Sequence, residues 1–278
     1  MKIIDFRMRP STPEMVSVAD SRAYKDLLMK KAKPYDKRIY PVEETIREMD
    51  EAGIVMGVIP GRDIETTYQW KVTNDHLAEI VQKFPKRFVA FAGVDPNKGM
   101  SAVREVERSV KSLGLRGVAL DPYLHWKPAN DKIFYPIYAK CVELGVPIML
   151  TAGPGAHVPG SIMAHAAPAT IDEVAKDFPE LTIIAGHGCY PFVTEMIAVA
   201  LRHDNVYFDI GAYELFPGSD LYVQAANTIL TNKLVLASGH PLTHMKDALQ
   251  RYEKLPFNEQ TRENVYYRNA ERVLKIKI

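Results

Sequence analysis

Eight short apolar segments, rich in Val, Ile, Leu and Ala, recur along this chain and alternate with longer segments of helical period. They cover residues 2–7, 54–59, 88–94, 117–120, 146–150, 181–185, 206–210 and 234–237. Strands that are buried on both faces are apolar along their whole length, and helices that connect such strands leave them parallel. The pattern therefore predicts a single (β/α)8 TIM barrel of the α/β class, with an open doubly wound sheet as the alternative.

The length of the chain agrees with one barrel domain over residues 1–278. The doubly wound alternative lacks support because Asp5-Phe6-Arg7-Met8-Arg9, which ends the first predicted strand, has none of the glycines of a dinucleotide-binding turn. No cofactor is predicted.

Charge and cysteine content limit the partners and the location of the protein. Lys and Arg (35) almost balance Asp and Glu (34), so no overall field favours nucleic acid or a membrane surface. The two cysteines are too few for a disulfide framework, and we see no targeting segment and no uncharged apolar run of about 18 residues. These features predict a cytoplasmic protein with a small-molecule ligand. Tyr222, Phe257 and Tyr266, interpreted as surface aromatics, leave a homodimer open.

Three arginines follow the first two predicted strands, and the carboxyl ends of barrel strands are where barrel enzymes place their chemistry. Alternation puts Asp5, Arg7 and Arg9 on one face, which the barrel can turn toward its lumen. Arginines buried there need an anion, so Arg7 and Arg9 are predicted to bind a carboxylate; alternatively, Arg9 lies past the strand in solvent. Arg62 has two open interpretations, substrate binding or a surface turn pair with Asp63.

Further polar side chains follow the later strands. Asp121 ends the fourth, where it faces a pocket or caps the turn before Pro122, and Asp209 ends the seventh with the same ambiguity. His187, between two glycines, ends the sixth strand and is predicted to be the general acid or base, because imidazole titrates near neutral pH. His157 and His165 fall in a Gly- and Pro-rich segment and are predicted to face solvent.

These residues support one set of predicted roles. Arg7 and Arg9 hold the carboxylate of the substrate, and Arg7 also stabilises developing negative charge. Asp121 activates water or orients the imidazole of His187. Arg62 is a further substrate-binding residue, and His125, Tyr213 and His240 line the mouth of the site and determine the shape of the substrate.

The order of strands and motifs resembles the amidohydrolase-related barrels, in the branch that contains aminocarboxymuconate-semialdehyde decarboxylase, resorcylate-type decarboxylases and pyrone-dicarboxylate lactonase. The resemblance rests on the opening strand with Ile4-Asp5, the strand at 117–120, the segment 135–148, the segment 181–188 and the final segment 269–274. It implies a barrel with a divalent metal in most members. The positions that carry metal ligands in that family correspond here to Arg7, Arg9, Thr151, His187 and Gly239. Since only His187 matches, the resemblance implies that the usual metal is not bound.

Three functions remain open at this stage. The first is a metal-independent hydrolase that opens a lactone or cleaves a C–O or C–N bond in a small carboxylate, as the resemblance to the lactonases implies. The second is a lyase, either a non-oxidative decarboxylase or a hydratase, of a small aromatic or unsaturated carboxylic acid. The third is a barrel that binds a carboxylate without catalysis.

Overall fold

All eight predicted apolar segments contain strands, and these strands lie side by side in one parallel sheet. The structure is a computed structural model that describes residues 1–17, 39–153 and 160–278. The strands of the sheet are β1 (Ile3–Asp5), β2 (Ile54–Pro60), β5 (Phe88–Gly93), β6 (Val118–Leu120), β7 (Ile148–Thr151), β8 (Ile183–Gly186), β9 (Val206–Asp209) and β10 (Leu234–Val235). They lie side by side in this order, and β3 and β4 (residues 63–64 and 70–71) form a separate hairpin.

The first and last strands meet and close the sheet. The amide of Phe6 donates to the carbonyl of Leu236 (2.7 Å), the amide of Arg9 donates to the carbonyl of His240 (3.0 Å), and Met8 forms a parallel bridge with His240. The predicted (β/α)8 barrel is therefore confirmed, and the doubly wound alternative is wrong.

Helices follow most strands, as the amphipathic segments predict. They are α1 (Pro13–Val16), α2 (Val42–Glu51), α3 (Glu65–Tyr68), α4 (Asn74–Lys83), α5 (Met100–Lys111), α6 (Tyr135–Leu144), α7 (Pro168–Asp177), α8 (Val193–Arg202), α9 (Asp220–Thr228), α10 (Met245–Glu253), α11 (Glu259–Glu263) and α12 (Asn269–Leu274). The sequence pattern did not predict the small antiparallel hairpin of β3 (Asp63–Ile64) and β4 (Trp70–Lys71), which extends the loop after β2.

The apolar core has two parts because each barrel strand buries both of its faces. The larger part lies between the strands and the surrounding helices. The smaller part fills the lumen and is closed by side chains of α12; it contains Ile4, Phe6, Val58, Phe91, Ala119, Met149, Ile184, Val235, Ala270, Val273 and Leu274. The lumen is thus packed with apolar side chains below the carboxyl ends of the strands, so a ligand can enter only at those ends.

Strand β1 corrects one prediction. Ile4 and Phe6, not Asp5, point into the lumen, and the carboxylate of Asp5 accepts hydrogen bonds from the amide (2.9 Å) and the hydroxyl of Ser238. The strand ends at Asp5 and the chain bends there. The alternation of the strand therefore stops before Arg7. The direction of the Arg7 side chain is determined by its hydrogen bonds to Asp209 and Thr151.

The aromatic residues predicted to lie on the surface are buried. Tyr222, Phe257 and Tyr266 are 0%, 6% and 4% exposed and pack in the core between barrel and helices. The prediction of surface aromatics is wrong, because helical segments that pack on a barrel bury large side chains on one face. His165 is half-buried, and His157 lies outside the described residues. No helix within the described ranges is both long and apolar enough to cross a membrane.

Candidate active site

Arg7 crosses the barrel and contacts the ends of three strands on its far side. Its Nε donates to Oδ2 of Asp209 (3.0 Å), and its Nη1 donates to Oγ1 of Thr151 (3.2 Å). Its third nitrogen, Nη2, lies against the backbone of Gly186 and has no acceptor among the described residues. Because the side chain is only 2% exposed, this leaves a buried cationic donor unsatisfied at the top of the lumen, which is a costly arrangement without a ligand.

Thr151 connects Arg7 to a second ion pair. Its hydroxyl also hydrogen-bonds to Asp121, whose carboxylate accepts two bonds from Arg62, from Nε (2.6 Å) and from Nη2 (2.8 Å). Arg62 therefore pairs with Asp121 and not with Asp63, which binds Lys98 instead (2.6 Å). The four side chains Arg7, Thr151, Asp121 and Arg62 form a buried polar chain across the barrel.

The pairing with Arg62 determines the protonation state of Asp121. Burial by itself would raise the pKa of this carboxyl, but the charge and hydrogen bonds of Arg62, with the nearby charge of Arg9, outweigh burial and hold the pKa well below its usual range. A carboxylate held in its ionised form is a weak base. The geometry therefore favours a role for Asp121 in orienting Arg62. It does not favour the predicted role of Asp121 in activating water.

The imidazole of His187 is held in one tautomer. Its Nδ1 lies 2.7 Å from the carbonyl oxygen of Gly211. Since a carbonyl can only accept, Nδ1 carries the proton, and in the neutral ring Nε2 is the nitrogen that can take up another. The ring, half-buried, also meets the ring of Tyr213 edge to face at 5.6 Å.

The backbone that carries His187 is conformationally unusual. His187, Gly188 and Cys189 all have positive φ angles (58°, 58° and 56°). For a residue with a side chain this region costs about 1–2 kcal/mol, and such costs are concentrated at functional sites. The sharp left-handed turn ends β8 with the imidazole beside Tyr213.

Asp209 is a member of the site whose placement the sequence left open. One oxygen, Oδ2, accepts from Arg7, while Oδ1 accepts from the amides of His187 (3.2 Å) and Gly211 (3.1 Å). The side chain is fully buried. Its only sequence signal was an aspartate at the end of an apolar strand followed by glycine, the same signal that a turn cap gives.

The three predicted mouth residues lie deeper than expected, and Tyr213 is 7% exposed. His125 is 3% exposed, with Nδ1 3.7 Å from Oδ1 of Asp95, and burial lowers its pKa to about 4 despite the nearby carboxylates. His240 is 2% exposed, with Nε2 3.4 Å from the hydroxyl of Tyr40. Both histidines are therefore buried beside the strand ends and do not form an exposed rim. Their role in substrate binding stays a prediction.

The two remaining predicted residues, Arg9 and Tyr213, lie near the ends of different strands, β2 and β9. Arg9 is half-buried and donates from Nε to the carbonyl of Pro60 (2.9 Å), and its charge lies close enough to influence Asp121. Tyr213 stacks on Tyr190 with ring centres 5.0 Å apart, and Phe216 packs edge-on against both rings. The strand ends thus carry a cationic group at Arg9 and an aromatic cluster at Tyr213.

The site does not fit the divalent metal that most members of the resembled family bind. Of the corresponding positions only His187 supplies a metal-binding side chain, and the guanidinium of Arg7 occupies the space between Thr151, Gly186 and Asp209. Within the described part of the chain, no three His, Cys, Asp or Glu side chains come together as a ligand group. A cation fixed at the centre of the site would repel Zn²⁺ or Mn²⁺.

The fold and the strand-end site define a class of protein, and comparison with known proteins identifies it. The chain matches the amidohydrolase family over residues 4–276 and belongs to that family. It is 28% identical over 241 residues to the 2-keto-4-carboxy-3-hexenedioate hydratase of Sphingobium sp. strain SYK-6, an alignment that covers 72% of this chain and 69% of that protein.

Two solved structures share the whole architecture. A TIM-barrel protein from Bordetella bronchiseptica superposes with a TM-score of 0.82 at 29% identity, with 99% of each chain covered. The 5-carboxyvanillate decarboxylase of Sphingomonas paucimobilis superposes with a TM-score of 0.73 at 20% identity, covering 100% of this chain and 99% of that one. At this level of identity the second similarity demonstrates a common fold.

Proposed function

We propose that this protein is a lyase that adds water to the carbon–carbon double bond of a small unsaturated carboxylic acid. The observation that carries the proposal is the buried guanidinium of Arg7. Two of its nitrogens are held by Asp209 and Thr151, and the third has no acceptor among the described residues. A carboxylate of the substrate supplies the missing acceptor in a charge-assisted hydrogen bond.

The proposed reaction uses the tautomer of His187 that carries its proton on Nδ1. Nε2 takes a proton from water, and the oxygen of that water bonds to the β-carbon of the double bond. The π electrons move toward the α-carbon and its carboxylate, where the charge of Arg7 stabilises the enolate-like intermediate. The imidazolium of His187 then returns the proton to the α-carbon, so that one water has been added and the protein is unchanged.

The fixed cation favours hydration over the other reactions of the family. In a conjugate addition the negative charge on the bound carboxylate grows, so that Arg7 stabilises the transition state more than the ground state. In a decarboxylation the carboxylate leaves as neutral CO2, and a strong ion pair with it would oppose the reaction. The similarity to a hydratase supports the same choice, and it supports a lyase over the hydrolase that the sequence alone favoured.

A decarboxylase is the second candidate, because the relatives include the 2-amino-3-carboxymuconate-6-semialdehyde decarboxylase of Dictyostelium discoideum, 30% identical over 77 residues. For that reaction the leaving carboxylate would have to lie away from Arg7, with a second carboxylate on the guanidinium.

The test is a panel of unsaturated di- and tricarboxylic acids, hydroxybenzoates and pyrone lactones. Hydration consumes the conjugated absorbance and adds the mass of one water, decarboxylation releases CO2, and hydrolysis opens the lactone ring. We expect hydration of at least one unsaturated polycarboxylate. Release of CO2 or ring opening without any hydration would contradict the proposal.

The role of the guanidinium is tested by Arg7→Lys. A lysine ammonium cannot reproduce the planar set of donors that contacts Asp209, Thr151 and the substrate at once, so we expect kcat/KM to fall by roughly 10²–10³. The control is Arg108→Lys, which alters an exposed arginine of the outer helices that binds the carboxylate of Asp75 through two contacts (3.0 and 2.7 Å). Equal activities of the two variants would exclude Arg7 from the reaction.

A further inference from the structure

Asp209 joins the two halves of the site through its two oxygens. Oδ2 accepts from Nε of Arg7 (3.0 Å), which fixes the cationic half. Oδ1 accepts from the amides of His187 (3.2 Å) and Gly211 (3.1 Å), which fixes the half that transfers protons. Since Asp209 is 0% exposed, both sets of bonds are formed out of contact with water, where hydrogen bonds to a charged group are strongest.

The bonds of Oδ1 also define the tautomer of His187. The amide of Gly211 is held by Oδ1, and the carbonyl of the same residue accepts the Nδ1 proton of His187 (2.7 Å). The carboxylate therefore fixes both the backbone from which the imidazole extends and the carbonyl that orients its ring. It does so without contacting the ring itself.

We infer that Asp209 is a positioning residue that sets the geometry between the carboxylate-binding nitrogen of Arg7 and the proton-transferring nitrogen of His187. The catalytic importance of this geometry rests on the proposed function. The claim that the carboxylate of Asp209 orients both Arg7 and His187 can be tested without substrate. Asp209 acts through the two groups and does not touch the reacting atoms.

Asp209→Asn separates the two sets of bonds. An asparagine that kept its oxygen on the two amides would lose one hydrogen bond, because its NH2 group would face the Nε proton of Arg7. The opposite orientation would set the NH2 group against two amide protons. The first orientation is therefore favoured, and Asp209→Asn is expected to release Arg7 while it keeps the turn of His187. Asp209→Ala removes both sets of bonds.

The substrate-free test uses ¹⁵N NMR of the Nε of arginines and of the ring nitrogens of histidines. The signals of Arg7 and His187 are assigned from the spectra of Arg7→Lys and His187→Gln. In Asp209→Asn we expect the Arg7 Nε proton to exchange with water at least tenfold faster while the Nδ1–H tautomer of His187 persists. In Asp209→Ala we expect both signals to change, with the imidazole signals averaged between tautomers.

The control is Asp172→Asn. Asp172 also pairs with an imidazole, that of His203 (2.7 Å), and with Arg202 (3.5 Å), on the outer helices. This variant should leave the signals of Arg7 and His187 unchanged. An Arg7 signal unaffected by Asp209→Asn overturns the inference, as does an imidazole signal of His187 unaffected by a folded Asp209→Ala.

Kinetics give a second, independent readout. With an unsaturated polycarboxylate that the protein hydrates, Asp209→Asn should lower kcat/KM by roughly 10–100-fold, the value of one charge-assisted hydrogen bond. KM should rise and kcat should fall, because Arg7 binds the carboxylate and also stabilises the charge that grows on it. Asp209→Ala should lower kcat further, because it also releases His187. A fall of kcat alone in Asp209→Asn would count against the separation of roles. If the unaltered protein hydrates nothing, the proposed function fails, and the NMR comparison still decides the role of Asp209.

Discussion

Gly186 is the position where a single methyl group should test the architecture of the site most directly. A Cβ atom built on Gly186 would lie 2.0 Å from Nη2 and 2.9 Å from Cζ of Arg7. The backbone of Gly186 has φ −72° and ψ 142°, an extended conformation that alanine adopts without strain. The effect of Gly186→Ala therefore comes from the collision with the guanidinium and not from the backbone.

The destabilisation expected from Gly186→Ala follows from the contacts that Arg7 would lose. To reach an ordinary contact distance of about 3.5 Å, Nη2 must move by roughly 1.5 Å. Such a shift breaks the bond to Asp209, worth about 1.5–3 kcal/mol, and the bond to Thr151, worth about 0.5–1.5 kcal/mol. We expect a loss of about 2–4 kcal/mol in the free energy of unfolding, or roughly 4–16 °C in Tm, with loss of activity.

The assay is a double-mutant cycle measured by thermal or urea unfolding. Gly186→Ala is compared in the parent protein and in Arg7→Ala, where the colliding group is absent; the contact of the new methyl with the backbone of Thr151 (3.2 Å) is common to both. We expect a coupling energy of about 1–3 kcal/mol. Equal destabilisation in the two backgrounds would show that Arg7 does not occupy the space beside Gly186, and the proposed site would then be wrong.

Three further predictions follow from the site. His187→Gln, which keeps a hydrogen-bond donor but cannot carry the proton, should lower kcat by roughly 10²–10⁴ in the hydration assay; turnover at the rate of the parent protein would exclude proton transfer by His187. Asp121→Asn removes the carboxylate that pairs with the buried Arg62 and should reduce the free energy of unfolding by about 3–5 kcal/mol in denaturant titrations at neutral pH. Because the pKa of Asp121 is depressed in the folded protein, the stabilising contribution of the carboxylate is present above its ordinary range and is lost as the pH falls below about 4; the difference between parent and variant should therefore shrink in acid, and a constant difference would contradict the ion pair. Elemental analysis should find no stoichiometric Zn, Mn or Fe, and activity should survive a chelator, since the guanidinium of Arg7 repels a divalent cation; one tightly bound equivalent of metal at His187 would refute this.

The barrel itself could be predicted from the sequence because its cause is local. Each strand is short, apolar and followed by an amphipathic segment. The apolar composition of each strand alone indicates that both of its faces are buried. The same locality made His187 recognisable, as a polar residue between glycines at the end of an apolar strand. The sequence also indicated that three arginines gather at one end of the barrel, since the strands are parallel and their ends coincide.

The partners of those side chains depended on the tertiary structure. Arg7 and Asp209 are 202 residues apart, and Arg7 and Thr151 are 144 residues apart, so their contact exists only when the barrel closes and brings the end of β1 within reach of the ends of β7 and β9. Alternation was expected to place Asp5 in the lumen, but Ile4 and Phe6 occupy that face and Asp5 bonds to Ser238. The bend after Asp5 then ends the alternation before Arg7. Arg62 likewise pairs with the distant Asp121 and not with its sequence neighbour Asp63. A local pattern records how deeply a residue is buried, whereas the pairing of buried charges depends on which distant strand ends the closed sheet brings within hydrogen-bond distance.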